Sequence, residues 1–105
     1  MLIPILRGVP VVGNAFRTQD EIHAFCALQI FDTVELRPDP ANAHDPFAVM
    51  VTSGKHHLGY LPKQMSGAIW ALKEFDIWRS ITAEVSEVVA EFPMQVRLTV
   101  TMDIP

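Results

Sequence analysis

The most regular pattern in the chain is a strict alternation of apolar and polar residues over positions 94–103. Val96, Leu98 and Val100 alternate there with Arg97 and Thr99. This period of two predicts a β-strand that is buried on one side and exposed to solvent on the other. Shorter alternating or β-branched stretches predict five further strands, over residues 3–16, 33–37, 47–52, 56–60 and 78–89. The first of these should bend or bulge at Gly8–Pro10 or at Gly13.

Two segments instead carry apolar residues at helical spacing. Thr18-Gln19-Asp20-Glu21 is a capping-box pattern, and it predicts a helix over residues 19–29. The apolar side of that helix should include Cys26 as a core residue. Pro62 suits a first helical turn, and the stripe that follows predicts a second helix over residues 62–74. That stripe consists of Met65, Ala68, Ile69, Leu72 and Phe75.

Polar, turn-forming segments separate these elements. Ser53-Gly54-Lys55 predicts a tight hairpin turn, and Glu91-Phe92-Pro93 predicts a second turn. The order is therefore β-α-β-β-β-α-β-β. Two short helices are too few for a parallel sheet that needs a crossover at each step. We predict a mostly β fold: a six-stranded, mostly antiparallel β-barrel or strongly curved sheet, with the helices at its ends.

Composition narrows the class of protein. With 105 residues, half of them hydrophobic, residues 1–105 are expected to form a single domain. The net charge of −4 argues against indiscriminate binding to a phosphate backbone, but it allows a local basic pocket. Cys26 is the only cysteine, so no intrachain disulfide forms. Without a signal-peptide pattern or an apolar run of ~20 residues, a soluble cytoplasmic protein with no membrane partner is predicted.

The chain offers little that indicates catalysis. His56 and His57 are neighbours on a predicted strand, so they point to opposite sides and cannot share a metal. A metal-dependent nuclease centred on Asp39, His44 and Asp45 lacks supporting ligands nearby in the sequence. We therefore expect no catalytic residue, no metal and no cofactor.

Four motifs, in order and at family spacing, resemble the HIRAN domain family over roughly residues 10–90. They are Val11-Val12-Gly13-Asn14-Ala15-Phe16, Val34-Glu35-Leu36-Arg37, Asn42-Ala43-His44-Asp45-Pro46-Phe47-Ala48-Val49-Met50-Val51 and Leu58-Gly59-Tyr60-Leu61-Pro62-Lys63. The resemblance is to stand-alone members of bacterial or phage type. It implies an OB-like β-barrel with two helices.

The resemblance also implies a function. The chain would be a non-catalytic module that binds single-stranded DNA and its free 3′-hydroxyl end, in DNA repair or replication-fork processing. Because family members occur fused to DNA-remodelling helicases, a helicase or nuclease is the expected protein partner. The alternative is a protein-interaction or assembly module on the same barrel. It is favoured by the acidic charge and by the 94–103 strand, which would pair with a copy of itself in a homo-oligomer if it lay at an open edge.

Six residues match the family's binding positions, and each also has a structural interpretation. Phe16 would stack on a base or would be a core residue at a strand end. Arg17 would bind phosphate or stack on a base, or would be an ordinary solvated arginine. Asn42 would contact a base edge or the DNA backbone, or would brace its own loop. Asp45 would accept a hydrogen bond from the terminal 3′-hydroxyl and also brace the loop.

Tyr60 and Lys63 complete the set at a junction between strand and helix. Tyr60 would stack or donate to phosphate, or would be a rim tyrosine with a wet hydroxyl. Lys63 would hold a phosphate together with the free amides at the helix start. Lys55, at a hairpin tip, is expected to be solvent-exposed and uninvolved, and Trp70 and Trp78 are expected to pack in the core or at an interface.

Overall fold

The computed structural model describes residues 1–73, 81–91 and 93–104 and has the predicted order of elements. The strands are β1 Leu2–Pro10, β2 Thr33–Pro38, β3 Val49–Ser53, β4 His56–Tyr60, β5 Ile81–Val89 and β6 Gln95–Asp103. The helices are α1 Gln19–Cys26 and α2 Lys63–Lys73, and a 3₁₀ turn spans Asn14–Phe16. Of the predicted residues, Phe75, Trp78 with the start of its strand, and Phe92 lie outside the described part of the chain.

The six strands form one antiparallel sheet in the order β1-β6-β5-β2-β3-β4. The fold class predicted from the sequence is therefore confirmed, but the barrel is not closed. In the described structure, one isolated bridge links Val12, two residues beyond the end of β1, to Tyr60 of β4. Val12 N donates to Tyr60 O over 2.9 Å, and Tyr60 N donates to Val12 O over 2.8 Å.

The core consists mainly of β-branched and leucine side chains that alternate along the strands. The completely buried ones are Val9, Val49, Val51, Leu58, Val85, Val96, Leu98 and Val100. Each helix adds one large anchor, Phe25 from α1 and Ile69 from α2, each 1% exposed. Complete burial of such a side chain stabilises a fold by about 1.5–3 kcal/mol. Because the sheet and both helices contribute to the same hydrophobic core, they stabilise one another.

β1 ends at Pro10, earlier than the predicted strand end at residue 16. Its pairing with β6 shifts register between Leu6 and Val9, and Gly8 within that interval has a φ of +66°. This agrees with the bulge predicted around Gly8. Gly13, at φ +73°, then turns the chain into the 3₁₀ turn, a conformation that glycine adopts without strain.

The capping box before α1 is confirmed, but two predictions about that helix are wrong. Thr18 accepts from the Glu21 amide over 3.3 Å, and the Glu21 carboxylate accepts from the Thr18 amide over 3.2 Å. The helix ends at Cys26 instead of residue 29, and Cys26 is exposed, not part of the core. The buried side is carried by Phe25 and Leu28, because the chain leaves the helix after Ala27 and turns Leu28 inward.

Two further differences from the sequence-based predictions concern Phe47, just before β3, and the buried side of α2. Phe47 precedes β3 and is 56% exposed, so it does not share the buried side of Val49 and Val51. On α2, Ala68 is exposed, whereas Ser66 is buried and donates to the Lys63 carbonyl over 3.0 Å. None of the described helices is long and apolar enough to cross a membrane.

The position of β6 overturns one prediction about assembly. β6 pairs with β1 on one side and with β5 on the other. Since both of its edges are already hydrogen-bonded, this strand cannot pair with a copy of itself. The open edge that self-association through residues 94–103 would need is therefore absent from this strand.

Candidate functional site

A connected group of polar and aromatic side chains lies where the two ends of the sheet meet. Arg17 Nε donates to the His57 carbonyl over 3.2 Å, and the His57 and Tyr60 rings meet edge to face with centroids 4.7 Å apart. The Tyr60 hydroxyl donates to Asp39 Oδ2 over 3.0 Å, and Asn42 Nδ2 lies 3.5 Å from the same oxygen. These five residues, Arg17, Asp39, Asn42, His57 and Tyr60, are called the Tyr60 cluster below.

Two glycines allow the chain to come this close to itself. A Cβ on Gly59 would lie 2.5 Å from the Val12 carbonyl oxygen and 2.8 Å from a Val11 methyl group, so only glycine fits at this position of β4. The Gly13 backbone packs beside the Tyr60 ring, with a Cβ position 3.5 Å from Cδ2. The bridge between Val12 and Tyr60 therefore places the 3₁₀ turn and Arg17 beside β4.

Glu21 fixes Arg17 in place from the first turn of α1. Arg17 Nη2 donates to the two Glu21 carboxylate oxygens over 3.1 and 3.3 Å, and the His57 amide donates to Glu21 Oε2 over 3.0 Å. Desolvation acts to raise the pKa of Glu21, but hydrogen bonds from Thr18, His57 and Arg17 outweigh it and lower the pKa from 4.5 to about 2. The carboxylate thus stays ionised and neutralises much of the Arg17 charge.

The two rings of the Tyr60 cluster are uncharged near neutral pH. Burial, followed by repulsion from the Arg17 cation, lowers the pKa of His57 below 6.5. Its Nε2 lies 3.0 Å from the Gly59 carbonyl, which only accepts, so Nε2 carries the proton of the neutral ring. Burial and the hydrogen-bonded Asp39 carboxylate raise the pKa of Tyr60 above 10, which keeps the phenol a donor.

Asn42 and Asp45 brace their own loop. Asn42 Oδ1 accepts from the amides of His44 and Asp45 over 2.8 and 3.0 Å, and Asp45 Oδ1 accepts from the Phe47 amide over 2.9 Å. These are the side-chain-to-backbone bonds that the sequence predicts for such a loop. Asp45 Oδ2 has no hydrogen-bond partner in the described part of the chain, so one carboxylate oxygen remains available.

Phe16 is 91% exposed at the end of the 3₁₀ turn. The interpretation of Phe16 as a core residue is therefore wrong. The ring is open to solvent and is therefore accessible to a ligand that stacks on aromatic rings. In the sequence Phe16 directly precedes Arg17, which belongs to the Tyr60 cluster.

Lys63 stands apart from this group. It is the exposed first residue of α2, and no hydrogen bond or ion pair joins it to the Tyr60 cluster within the described residues. Pro62 lies just before the helix, and its carbonyl accepts from the amides of Met65 and Ser66 over 2.9 and 3.1 Å. The amides of Lys63 and Gln64 make no hydrogen bond to any described residue.

Sequence reasoning missed the residues that hold the group together. Asp39 connects Tyr60 to the loop, and His57 connects Tyr60 to Arg17. Asp39 lies three positions before Asn42, the spacing that also separates Asn42 from Asp45, and this was its only signal. Across the described residues, no three His, Cys, Asp or Glu side chains are grouped so that they could hold a metal ion.

A family model and a solved structure indicate the same protein family for this chain. The family model for the HIRAN domain matches residues 8–103. The crystal structure of the HIRAN domain of human HLTF is 25% identical, with a TM-score of 0.70 over 92% of this chain and 73% of that one. A protein from Lactobacillus plantarum shares the fold at 19% identity, with a TM-score of 0.76 over 98% of both chains. No curated protein matches significantly.

Proposed function

The chain belongs to the HIRAN domain family, and we propose that it is a non-catalytic module that binds single-stranded DNA at a 3′-hydroxyl end. HIRAN domains are known in general as DNA-binding modules. The observation that carries the proposal is Phe16, an exposed aromatic ring beside Arg17. Bases of any sequence stack on such a ring, and each stacked base contributes about 1–3 kcal/mol.

The Tyr60 cluster and Glu21 hold Arg17, the residue that follows Phe16, in a fixed position. Arg17 is held by Glu21 and by the His57 carbonyl, yet its side chain remains 26% exposed, so its guanidinium can face a phosphate or the plane of a base. Because the Tyr60 hydroxyl is committed to Asp39, we assign Tyr60 to contact through its ring and not as a phosphate donor. Asn42 acts mainly by shaping the loop.

Asp45 is proposed to select strand ends. Its free Oδ2 can accept a hydrogen bond from a terminal 3′-hydroxyl, whereas its negative charge repels the phosphate that occupies this place in a continuous strand. Lys63 and the amides of the first turn of α2 are proposed to contact a phosphate further along the strand. With a net charge of −4, the protein should bind with modest, salt-sensitive affinity.

This function places the chain in DNA repair or replication-fork processing, with a helicase or nuclease as partner. Titration of a labelled single-stranded oligonucleotide, followed by fluorescence anisotropy at several salt concentrations, tests the proposal. Linear single strands should compete with the probe and should do so better than circular single strands of the same composition. Absence of binding to any single strand would remove the nucleic-acid function, and equal competition by circular DNA would remove the end preference.

A further inference from the structure

A second exposed aromatic side chain lies beyond the other end of α1, away from the proposed DNA site. Phe31 is 78% exposed and follows Ile30, which is 49% exposed. It is also the non-glycine residue with a positive φ, +77°, in the described structure. A bulky residue in this left-handed conformation is strained, and asparagine or glycine would fit there more easily.

The strained conformation is held in place by hydrogen bonds on both sides. Phe31 N donates to the Val85 carbonyl, and Val85 N donates to the Asp32 carbonyl, each over 2.8 Å. The Gln29 amide donates to Asp32 Oδ2 over 2.8 Å and closes the turn. The backbone therefore fixes Phe31 firmly against β5, while its ring makes no contribution to the buried core.

The positive φ makes Phe31 unfavourable for the folded chain, and exposure leaves its ring accessible to a partner. Residues held in strained conformations at exposed positions often serve a binding function. An exposed aromatic that fills a partner's pocket is the usual form of an interface hot spot.

The charges beside Phe31 indicate what kind of partner would fit. Asp32 and Glu84 are exposed, and neither forms an ion pair with a described residue. Glu87 is exposed on the same strand as Glu84 and is paired with Arg97 over 3.6 Å. This acidic surrounding repels nucleic acid, and it also repels the same surface of a second copy.

We propose that Ile30 and Phe31 form a docking knob for a different protein, which presents an apolar pocket with lysine or arginine side chains at its rim. Phe31 would fill the pocket, and Asp32 and Glu84 would face the basic rim. The proposal is independent of DNA binding, because it concerns a separate surface.

Site-specific photo-crosslinking tests the docking knob. The photoreactive residue p-benzoylphenylalanine is introduced at position 31 of the full chain, in the cells that naturally express it, and at position 47 as a matched control. Phe47 is also an exposed phenylalanine, but it lies on another part of the surface, against Trp70. One protein should be crosslinked from position 31 and not from position 47. No crosslinked protein, equal crosslinking from position 47, or crosslinking only to nucleic acid or to a second copy would overturn the proposal.

The crosslinked protein is then purified and titrated with variants. Phe31→Asn should weaken binding about 30-fold or more, as expected for a hot-spot aromatic. Glu84→Lys should weaken it about threefold, and more at low salt, whereas Phe16→Ala should leave it unchanged. Phe31→Asn should melt at the wild-type temperature or above it. Unchanged affinity of Phe31→Asn, or a clearly lower melting temperature, would show that Phe31 does not serve as a docking knob.

Discussion

Replacing Phe16 with alanine separates its role in binding from any role in folding. The ring is 91% exposed, so its removal leaves no cavity and should change the free energy of unfolding by no more than about 0.5 kcal/mol. If one base stacks on the ring, the loss of stacking is worth about 1–3 kcal/mol, which corresponds to roughly 5- to 150-fold weaker binding. Affinity should therefore fall steeply while stability stays constant.

The assay is fluorescence anisotropy with a short single-stranded oligonucleotide labelled at its 5′ end, together with thermal melts of each variant. Phe31→Asn is the control, because Phe31 is another exposed phenylalanine, 78% exposed, and lies outside the proposed DNA site. Phe16→Leu keeps an apolar side chain but removes the flat ring, so it should bind as poorly as Phe16→Ala. Wild-type affinity in Phe16→Ala would refute the stacking role, and wild-type affinity in Phe16→Leu would show that the contact is simply apolar.

Three further predictions concern the support beneath the site. Because the pKa of Glu21 falls from 4.5 to about 2 on folding, its ionisation stabilises the folded chain above pH 4.5, and this stabilisation disappears as the pH falls towards 2. Urea unfolding of Glu21→Gln should lack that part of the pH profile, and an unchanged profile would contradict the pKa. Gly59→Ala should lower the free energy of unfolding by about 1–3 kcal/mol, because the new Cβ would lie 2.5 Å from a backbone oxygen. The control Gly67→Ala, in open space on α2, should raise the free energy of unfolding by about 0.5–1 kcal/mol. Equal shifts of the two variants in thermal melts would argue against the close approach at Gly59. A double-mutant cycle of Asp39→Ala and Tyr60→Phe should give a coupling of about 1–2 kcal/mol in unfolding free energy, and additive losses would show that their hydrogen bond contributes nothing.

Local patterns predicted the elements of this fold well. The alternation over residues 94–103 led to β6, and the Thr18–Glu21 pattern led to the start of α1, because both signals depend only on neighbouring residues. The exposure of Cys26 and Phe16 was harder to predict. It depends on where α1 docks and where β1 ends, and those are properties of the whole sheet.

In the candidate site, too, local interactions could be predicted from the sequence and long-range ones could not. The bracing of the loop by Asn42 and Asp45 followed from residue type and short spacing. The hydrogen bond between Tyr60 and Asp39 joins residues 21 positions apart, and no local pattern indicates it. The interior position of β6, between β1 and β5, likewise depends on the strand order, which alternation alone does not determine.

The most direct test of end recognition compares two oligonucleotides that differ only in carrying a 3′-hydroxyl or a 3′-phosphate. The free Asp45 oxygen should favour the hydroxyl by about 10- to 100-fold, as expected when a hydrogen bond to a charged group is replaced by repulsion. Asp45→Asn keeps an oxygen for the Phe47 amide, so it should fold normally and lose most of this preference. Equal affinity of the wild-type protein for the two oligonucleotides would contradict 3′-end recognition.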